Sequence, residues 1–216
     1  MKRILLLGLA VTATLAFVAL GIWQVERLAW KRDLIARVER RSHAAPVPFA
    51  EAHGEEYRRV AATGELLQDK ETLVQALTER GGGFWVITPL RTPRGIVLIN
   101  RGFVPSKDSP RATRSAATIT GLLRLTEPGG GFLRANDPAR NRWYSRDTAA
   151  IARARGLGPV PPVFVDAAAS PNPRDYPIGG LTVLRFNNNH LVYAITWLAL
   201  AGLSAAGAFL LIRKRA

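Results

Sequence analysis

Two stretches of this chain run for 22 residues each without a charged side chain: Ile4 to Val25 near one end and Leu191 to Ile212 near the other. At about 1.5 Å of rise per residue, each is long enough as a helix to cross a hydrocarbon core of roughly 30 Å. Lipid offers a backbone N–H no partner, so a run of this kind must satisfy its own hydrogen bonds as a helix. A cleaved signal peptide fits the first run poorly, because its apolar stretch exceeds the ~7 to 15 residues of a signal core and no A-x-A site closes it. The expectation is a retained anchor at each end, with both termini on one side of a membrane and the 165 residues from Glu26 to His190 on the other.

The formal net charge is +14. Lys2, Arg3, Arg213, Lys214 and Arg215 account for five of the positive charges, which leaves 25 basic and 16 acidic residues, +9, on the stretch between the two runs. A basic surface serves anionic headgroups, a carboxylate-bearing cofactor, an acidic protein or nucleic acid, and it is also an ordinary solvated face. No RNP-type aromatic pattern or DNA-reading motif accompanies the charge, so nucleic acid is set aside. The absence of cysteine excludes a disulfide framework, thiolate metal sites and a cysteine nucleophile. Orientation is not settled by charge counting. The basic termini suit the cytoplasm, yet Arg27, Lys31, Arg32, Arg37, Arg40 and Arg41 crowd the other flank of the first run, and the rule weakens for long loops.

The helix of the first run is expected to continue past Val25 as an amphipathic extension over residues 26–45. Trp23, Arg27, Trp30 and Leu34 follow one another at offsets of four, three and four, which places two indoles and a guanidinium on one helical stripe. An interfacial aromatic belt with a snorkelling arginine has the same pattern. Pro46 and Pro48 end or follow this helix. Beyond them, Tyr57–Gly64, Glu71–Ala76, Phe84–Leu90, Gly95–Arg101, Ile119–Leu125 and Pro162–Ala167 read as short strands. Pro93, Arg94 and Gly95 join two of these in a hairpin. Asp147 and Gly156 bracket one helix as N-cap and C-terminal stop. Residues 46–190 thus read as a mainly antiparallel β domain of α+β type, a small sheet or open barrel. The segment 168–180 reads as a loop leading to the second run (191–212), which precedes a basic tail (213–216). Gly-Gly-Gly-Phe occurs at Gly81 and again at Gly129, without the lysine of a P-loop or a dinucleotide fingerprint, and both tetrads are expected to be flexible turns. In the second run, Ala201 with Ala205 and Gly202 with Ala206 have small-xxx-small spacing, suited to the first run or to another protein's helix.

Enzyme signatures are sparse. There is no G-x-S-x-G elbow and no H-E-x-x-H pair, and the histidines are His43, His53 and His190. His43 and His53 are expected to be exposed loop residues. Asp137, Asp147, Asp166 and Asp175 are scattered, with nothing in the sequence to pair them. His190 ends the run Asn187-Asn188-Asn189 where it meets the second apolar stretch. An imidazole there can cap the helix, which is the simpler reading from chemistry alone, or it can ligate haem iron. Haem would need an apolar slot and cations for its propionates, and Trp23, Trp30, Tyr193 and Trp197 beside Arg27 and Arg185 are permissive for both.

Several separated segments, in order along nearly the whole chain, resemble one family: Gly21-Ile22-Trp23-Gln24-Val25-Glu26-Arg27 with Lys31 and Leu34, the Thr88-Pro89-Leu90 turn, Asn100-Arg101-Gly102-Phe103-Val104-Pro105, and Asn188-Asn189-His190-Leu191-Val192-Tyr193-Ala194-Ile195-Thr196-Trp197. Together they are similar to the surfeit locus protein family of cytochrome c oxidase assembly factors. The resemblance implies a non-enzymatic factor of the bacterial inner membrane, or the mitochondrial one in a eukaryote, with the central domain periplasmic or in the intermembrane space. It implies haem a as cofactor, His190 as iron ligand, and oxidase subunit I as partner, with haem a synthase a further one. Phe103 stands where the family often has tryptophan, and Phe186 where it often has an aromatic hydroxyl. The alternatives are a haem-free scaffold for a subunit I intermediate and a membrane-tethered enzyme with an unrecognised site.

Overall fold

The computed structural model describes residues 1–111, 116–131, 133–170 and 175–213. It divides into two compact units, one joining residues 1–37 to the stretch from Arg185 onward and the other spanning Val38–Leu184. Phe132 of the second glycine tetrad, part of the 168–180 loop (171–174) and the tail beyond Arg213 lie outside the described residues.

The first unit is built on two helices, α1 (Lys2–His43) and α3 (His190–Arg213), each long and apolar enough to cross a membrane. α1 passes Val25 without interruption and stops three residues short of Pro46. His43 is therefore its last residue rather than part of a loop, and its Nδ1 is 2.9 Å from the carbonyl oxygen of Glu39. His53 is exposed in a turn, as expected.

The helices pack antiparallel along a seven-residue repeat. Arg3 donates to the Leu211 carbonyl at 2.8 Å, Ser204 Oγ donates to the Ala10 carbonyl at 3.2 Å, Phe17 stacks on Trp197 at 5.7 Å between ring centroids, and Gln24 meets His190. Each step of seven along α1 is answered by a step of seven back along α3. A strict seven-residue repeat is the seam of a left-handed supercoil. Ala194, Ala201 and Ala208 are its buried small residues on α3. Gly202, Ala205 and Ala206 face outward, so close approach uses alanines seven apart rather than the expected pairs four apart. On α1, a Cβ at Gly21 would come within 2.8 Å of the Leu198 side chain.

Among its described residues the second unit holds seven strands in one sheet: β1 (Val47–Pro48), β2 (Arg59–Leu66), β3 (Thr72–Thr78), β4 (Gly81–Thr92), β5 (Gly95–Val104), β6 (Ala116–Leu125) and β7 (Val163–Ala167). The order is β1-β2-β6-β7-β5-β4-β3, and β4 also pairs with β2 through Glu65↔Arg91 and Leu66↔Leu90. Strands β2, β6, β7, β5 and β4 thereby close a ring, so the barrel is shut rather than open. The sheet is mixed, because β1 runs parallel to β2 and β7 parallel to β5.

Alternation along the strands makes two cores from one sheet. Val60, Ala62, Leu66, Leu90, Val97, Ile99, Leu123 and Val165 fill the barrel. Leu98 and Phe164, one residue out of phase, join Val74, Ile87, Trp143 and Ile151 in a second cluster on the outer wall, beside α2 (Thr148–Arg155). Fully burying an aliphatic or phenyl side chain of this kind is worth about 1.5 to 3 kcal/mol. The α2 caps are as the residues foretell: Asp147 accepts from the Ala150 N–H, and Gly156 adopts φ 62°.

Two hairpins share one turn chemistry. Thr92-Pro93-Arg94-Gly95 joins β4 to β5, with Thr92 Oγ1 donating to the Gly95 carbonyl at 2.8 Å and accepting from the Arg94 N–H at 3.2 Å. Thr78-Glu79-Arg80-Gly81 repeats the arrangement between β3 and β4, with Thr78 Oγ1 donating to Gly81 and accepting from Arg80. The first glycine tetrad is consequently the start of a paired strand, not a flexible turn. Gly83 has a further reason to be glycine, since a Cβ there would lie 2.3 Å from the Val104 carbonyl oxygen. Thr88-Pro89-Leu90 is strand as well. Pro89 falls where β4 exchanges β3 for β2 as neighbour, between Ile87 and Leu90, so its missing N–H interrupts neither ladder.

Candidate functional site

His190 is the first residue of α3 and lies in the helix seam opposite Gln24, which is 7% exposed. Its Nδ1 is 2.7 Å from Gln24 Oε1. A carboxamide oxygen only accepts, so Nδ1 donates, and the second ring nitrogen, Nε2, carries the lone pair. In this tautomer Nε2 is the ring nitrogen able to accept a hydrogen bond or a metal ion. Two residues earlier, Asn188 has its side-chain oxygen buried with no hydrogen-bond partner among the described residues. An unmet buried acceptor at this junction is costly, by about 1 to 3 kcal/mol, and is the kind of exception that calls for an explanation.

The other residues singled out from the sequence are not all gathered at His190. Trp23 and Tyr193 are 52% and 53% exposed. Arg27 lies over the Trp30 ring at 3.9 Å from its centroid, so the two form a cation–π pair on the exposed side of α1. Trp197 is engaged with Phe17, seven residues, or about 10 Å of helix, beyond His190. Arg185 is exposed in the irregular segment before α3. Phe186 stands 5.4 Å from Lys31 Nζ, a cation–π contact that uses the ring without a hydroxyl.

Asp166, scattered in sequence and 4% exposed, is the centre of the second unit's polar network. Its Oδ1 accepts from Asn100 Nδ2 at 2.8 Å and from Arg146 at 3.2 Å; its Oδ2 accepts from Arg124 at 3.2 Å and Thr182 Oγ1 at 3.0 Å. Arg124 also reaches Glu56 at 3.2 Å, and Arg146 clasps Glu127 with both Nε and Nη2. Burial disfavours the ionised forms of Glu127 and Arg146. Their mutual hydrogen bonds and charge outweigh it, holding the Glu127 carboxyl below its ordinary range and the Arg146 guanidinium above its own. A cavity of about 20 Å³ beside Asn100 and Asp166 has room for about one water molecule, not for a substrate.

This network explains the Asn-Arg-Gly segment. Asn100 donates to Asp166 and accepts from the Gly102 N–H at 3.2 Å. Arg101 stands 3.7 Å from Glu71, which also pairs with Arg111 at 2.9 Å. Gly102 has φ 131°, and a Cβ there would lie 2.2 Å from the Ile178 carbonyl oxygen. Phe103 exchanges two backbone hydrogen bonds of 2.9 Å with Ile178 and packs edge-on against Trp85, so phenylalanine fills this position without a polar edge. The segment is a clasp that fastens residues 178–182 to β5 and β7.

Sequence reasoning missed Gln24 and the pairing of Asp166. A lone glutamine inside an uncharged run was the available signal for the first, and for the second none exists short of knowing that β5 and β7 are neighbours. Among the described residues no group of three or more His, Asp or Glu is placed to hold a metal ion.

Comparison with known proteins covers most of the chain. The model of the SURF1 family matches residues 11–202. Surfeit locus protein 1 of Homo sapiens is 39% identical over 223 aligned residues, covering 90% of this chain and 72% of that protein. The Gallus gallus protein of the same name is 35% identical, covering 96% and 74%, and a SURF1-like protein of Monosiga brevicollis is 35% identical, covering 90% and 83%. The chain belongs to the SURF1 family.

Proposed function

We propose that this protein is a membrane-anchored assembly factor for the haem-copper cytochrome c oxidase, and that it binds haem a at the α1–α3 pair, where His190 would serve as iron ligand. In this reading it assists the insertion of haem a into subunit I or its retention there. The family, the two apolar helices and the chemistry of the His190 junction support it. Outside their seam, α1 and α3 expose Leu5, Leu9, Leu15, Leu203 and Phe209, a surface suited to lipid. The inner membrane, with the Val38–Leu184 unit on the periplasmic side, is the corresponding location.

The residues present fit the group. His190 offers Nε2 with its lone pair free because Nδ1–H is spent on Gln24. Exposed Trp23 and Tyr193 provide aromatic surface near the junction, and Arg27 and Arg185 are the cations for propionates. Trp30 contributes by holding Arg27, and Trp197 by fixing the seam against Phe17. When bound, the haem iron supplies the redox and ligand-binding chemistry of the oxidase it is destined for. The protein's part is to bind, orient and shield it.

The observation that carries the proposal is the 2.7 Å contact of His190 Nδ1 with Gln24 Oε1 at the end of an apolar helix pair, which leaves Nε2 as the nitrogen with the lone pair. Co-expression with haem a synthesis, purification, and the Soret band of wild type against His190→Ala test it. A large loss of haem in the variant is expected, and equal haem content would refute the ligand assignment. A colourless wild-type protein that still co-purifies with subunit I would establish the haem-free scaffold instead.

A further inference from the structure

We infer that Gln24 is the positioning residue of His190: from the facing helix it accepts a hydrogen bond from Nδ1–H and so fixes which ring nitrogen is free to ligate. Neutral histidine in water favours the proton on Nε2, the form in which that nitrogen cannot bind a metal. The 2.7 Å contact with Gln24 Oε1 reverses the preference. Gln24 is 7% exposed and held in the seam, three residues from Gly21, whose missing Cβ lets Leu198 approach. Its carboxamide is thus confined to His190's level, and water is a poor competitor for the proton. The two residues are 166 positions apart, joined only by the antiparallel seam. A ligating imidazole whose other N–H is hydrogen-bonded is a stronger and better oriented donor, and loss of such a partner typically costs about 10- to 100-fold in metal affinity.

The use of this tautomer rests on the haem reading of His190, but the tautomer itself belongs to the protein without haem, so the two are separable. With three histidines in the chain, the full-length protein carrying ¹⁵N-histidine in detergent micelles, with His43→Gln and His53→Gln to assign the signals, reports the His190 ring directly. Above the histidine titration range, wild type should show Nδ1–H and a pyridine-like Nε2. Gln24→Met, close in volume and apolar, should move the proton toward Nε2, weaken haem a binding about 10- to 100-fold and lower the Fe–His stretching frequency of the ferrous form. Gln24→Glu keeps an acceptor, adds charge, and should retain haem and raise that frequency. Wild type with Nε2–H overturns the proposal, since a carboxamide presented the other way round would donate to Nδ1. So does Gln24→Met with an unchanged ring spectrum and haem affinity. If His190→Ala keeps its haem while the tautomer is as expected, only the ligand reading fails. If His190→Ala loses haem and Gln24→Met changes nothing, only the role of Gln24 fails.

Discussion

Removing the Asp166 carboxylate is the sharpest test of what holds the β domain together. It accepts four hydrogen bonds in a site where the side chain is 6% exposed, and two of its donors are the guanidinium groups of Arg124 and Arg146. Breaking one partner of a buried ion pair costs about 3 to 5 kcal/mol, because the remaining charge stays desolvated. Here the loss is moderated, since Arg124 keeps Glu56 and Arg146 keeps Glu127, but Asn100 and Thr182 lose their acceptor together. Asp166→Ala should therefore cost about 3 kcal/mol, and Asp166→Asn about 2, because an amide oxygen still receives one or two of the four donors. For a domain near 150 residues, 3 kcal/mol lowers Tm by about 6 to 12 °C. Near-UV circular dichroism of the full-length protein in detergent follows the domain, since Trp143 lies in the outer-wall cluster and Trp85 packs against it. If Asp166→Ala lowers Tm by no more than about 2 °C, the desolvation of this cluster cancels its Coulombic and hydrogen-bond gain, and the view of it as the domain's fastener is wrong.

Two further perturbations act on the same region. Glu127 has its folded-state pKa below the ordinary 4.5, so its contribution to stability is present above that value and is lost as pH falls through the lower, folded value. Its side chain is 38% exposed, so the effect is modest, and Glu127→Gln should flatten the acid limb of a Tm-versus-pH curve while leaving the neutral plateau lower and level. Gly102→Ala forces a Cβ to within 2.2 Å of the Ile178 carbonyl oxygen and strains a positive φ. Loss of the two Phe103–Ile178 hydrogen bonds should destabilise the domain by about 2 to 3 kcal/mol and raise the amide exchange of Phe103 and Ile178 before that of the barrel strands.

Much of this protein is local, and what is local is legible in the residues. The two uncharged runs are each long and apolar enough to cross a membrane, and a backbone placed in hydrocarbon would have no partner outside a helix; both are helical. The caps Asp147 and Gly156 and the turn Thr92-Pro93-Arg94-Gly95 act over three or four residues, so their chemistry can be read directly. The companion turn Thr78-Glu79-Arg80-Gly81 has the same Thr-x-Arg-Gly form, and comparison of the two would have placed Gly81 in a strand.

What only the tertiary structure decides is which distant segments meet. An amphipathic helix advertises its buried face by contrast with its polar one, but a helix that is apolar all round offers no contrast, so the seven-residue seam of α1 and α3 is invisible in hydrophobicity. The parallel pairing of β5 with β7 follows from barrel closure, and it brings Asn100 beside Asp166. Antiparallel packing of α1 on α3 likewise sets Gln24 against His190. The sequence alone marks His190 as a polar residue at the start of an apolar helix, able to cap or to ligate. Tertiary structure supplies the acceptor that faces Nδ1 and favours a proton there, because a tautomer is chosen by the partner a ring meets across space, and no neighbour in the chain could make that choice.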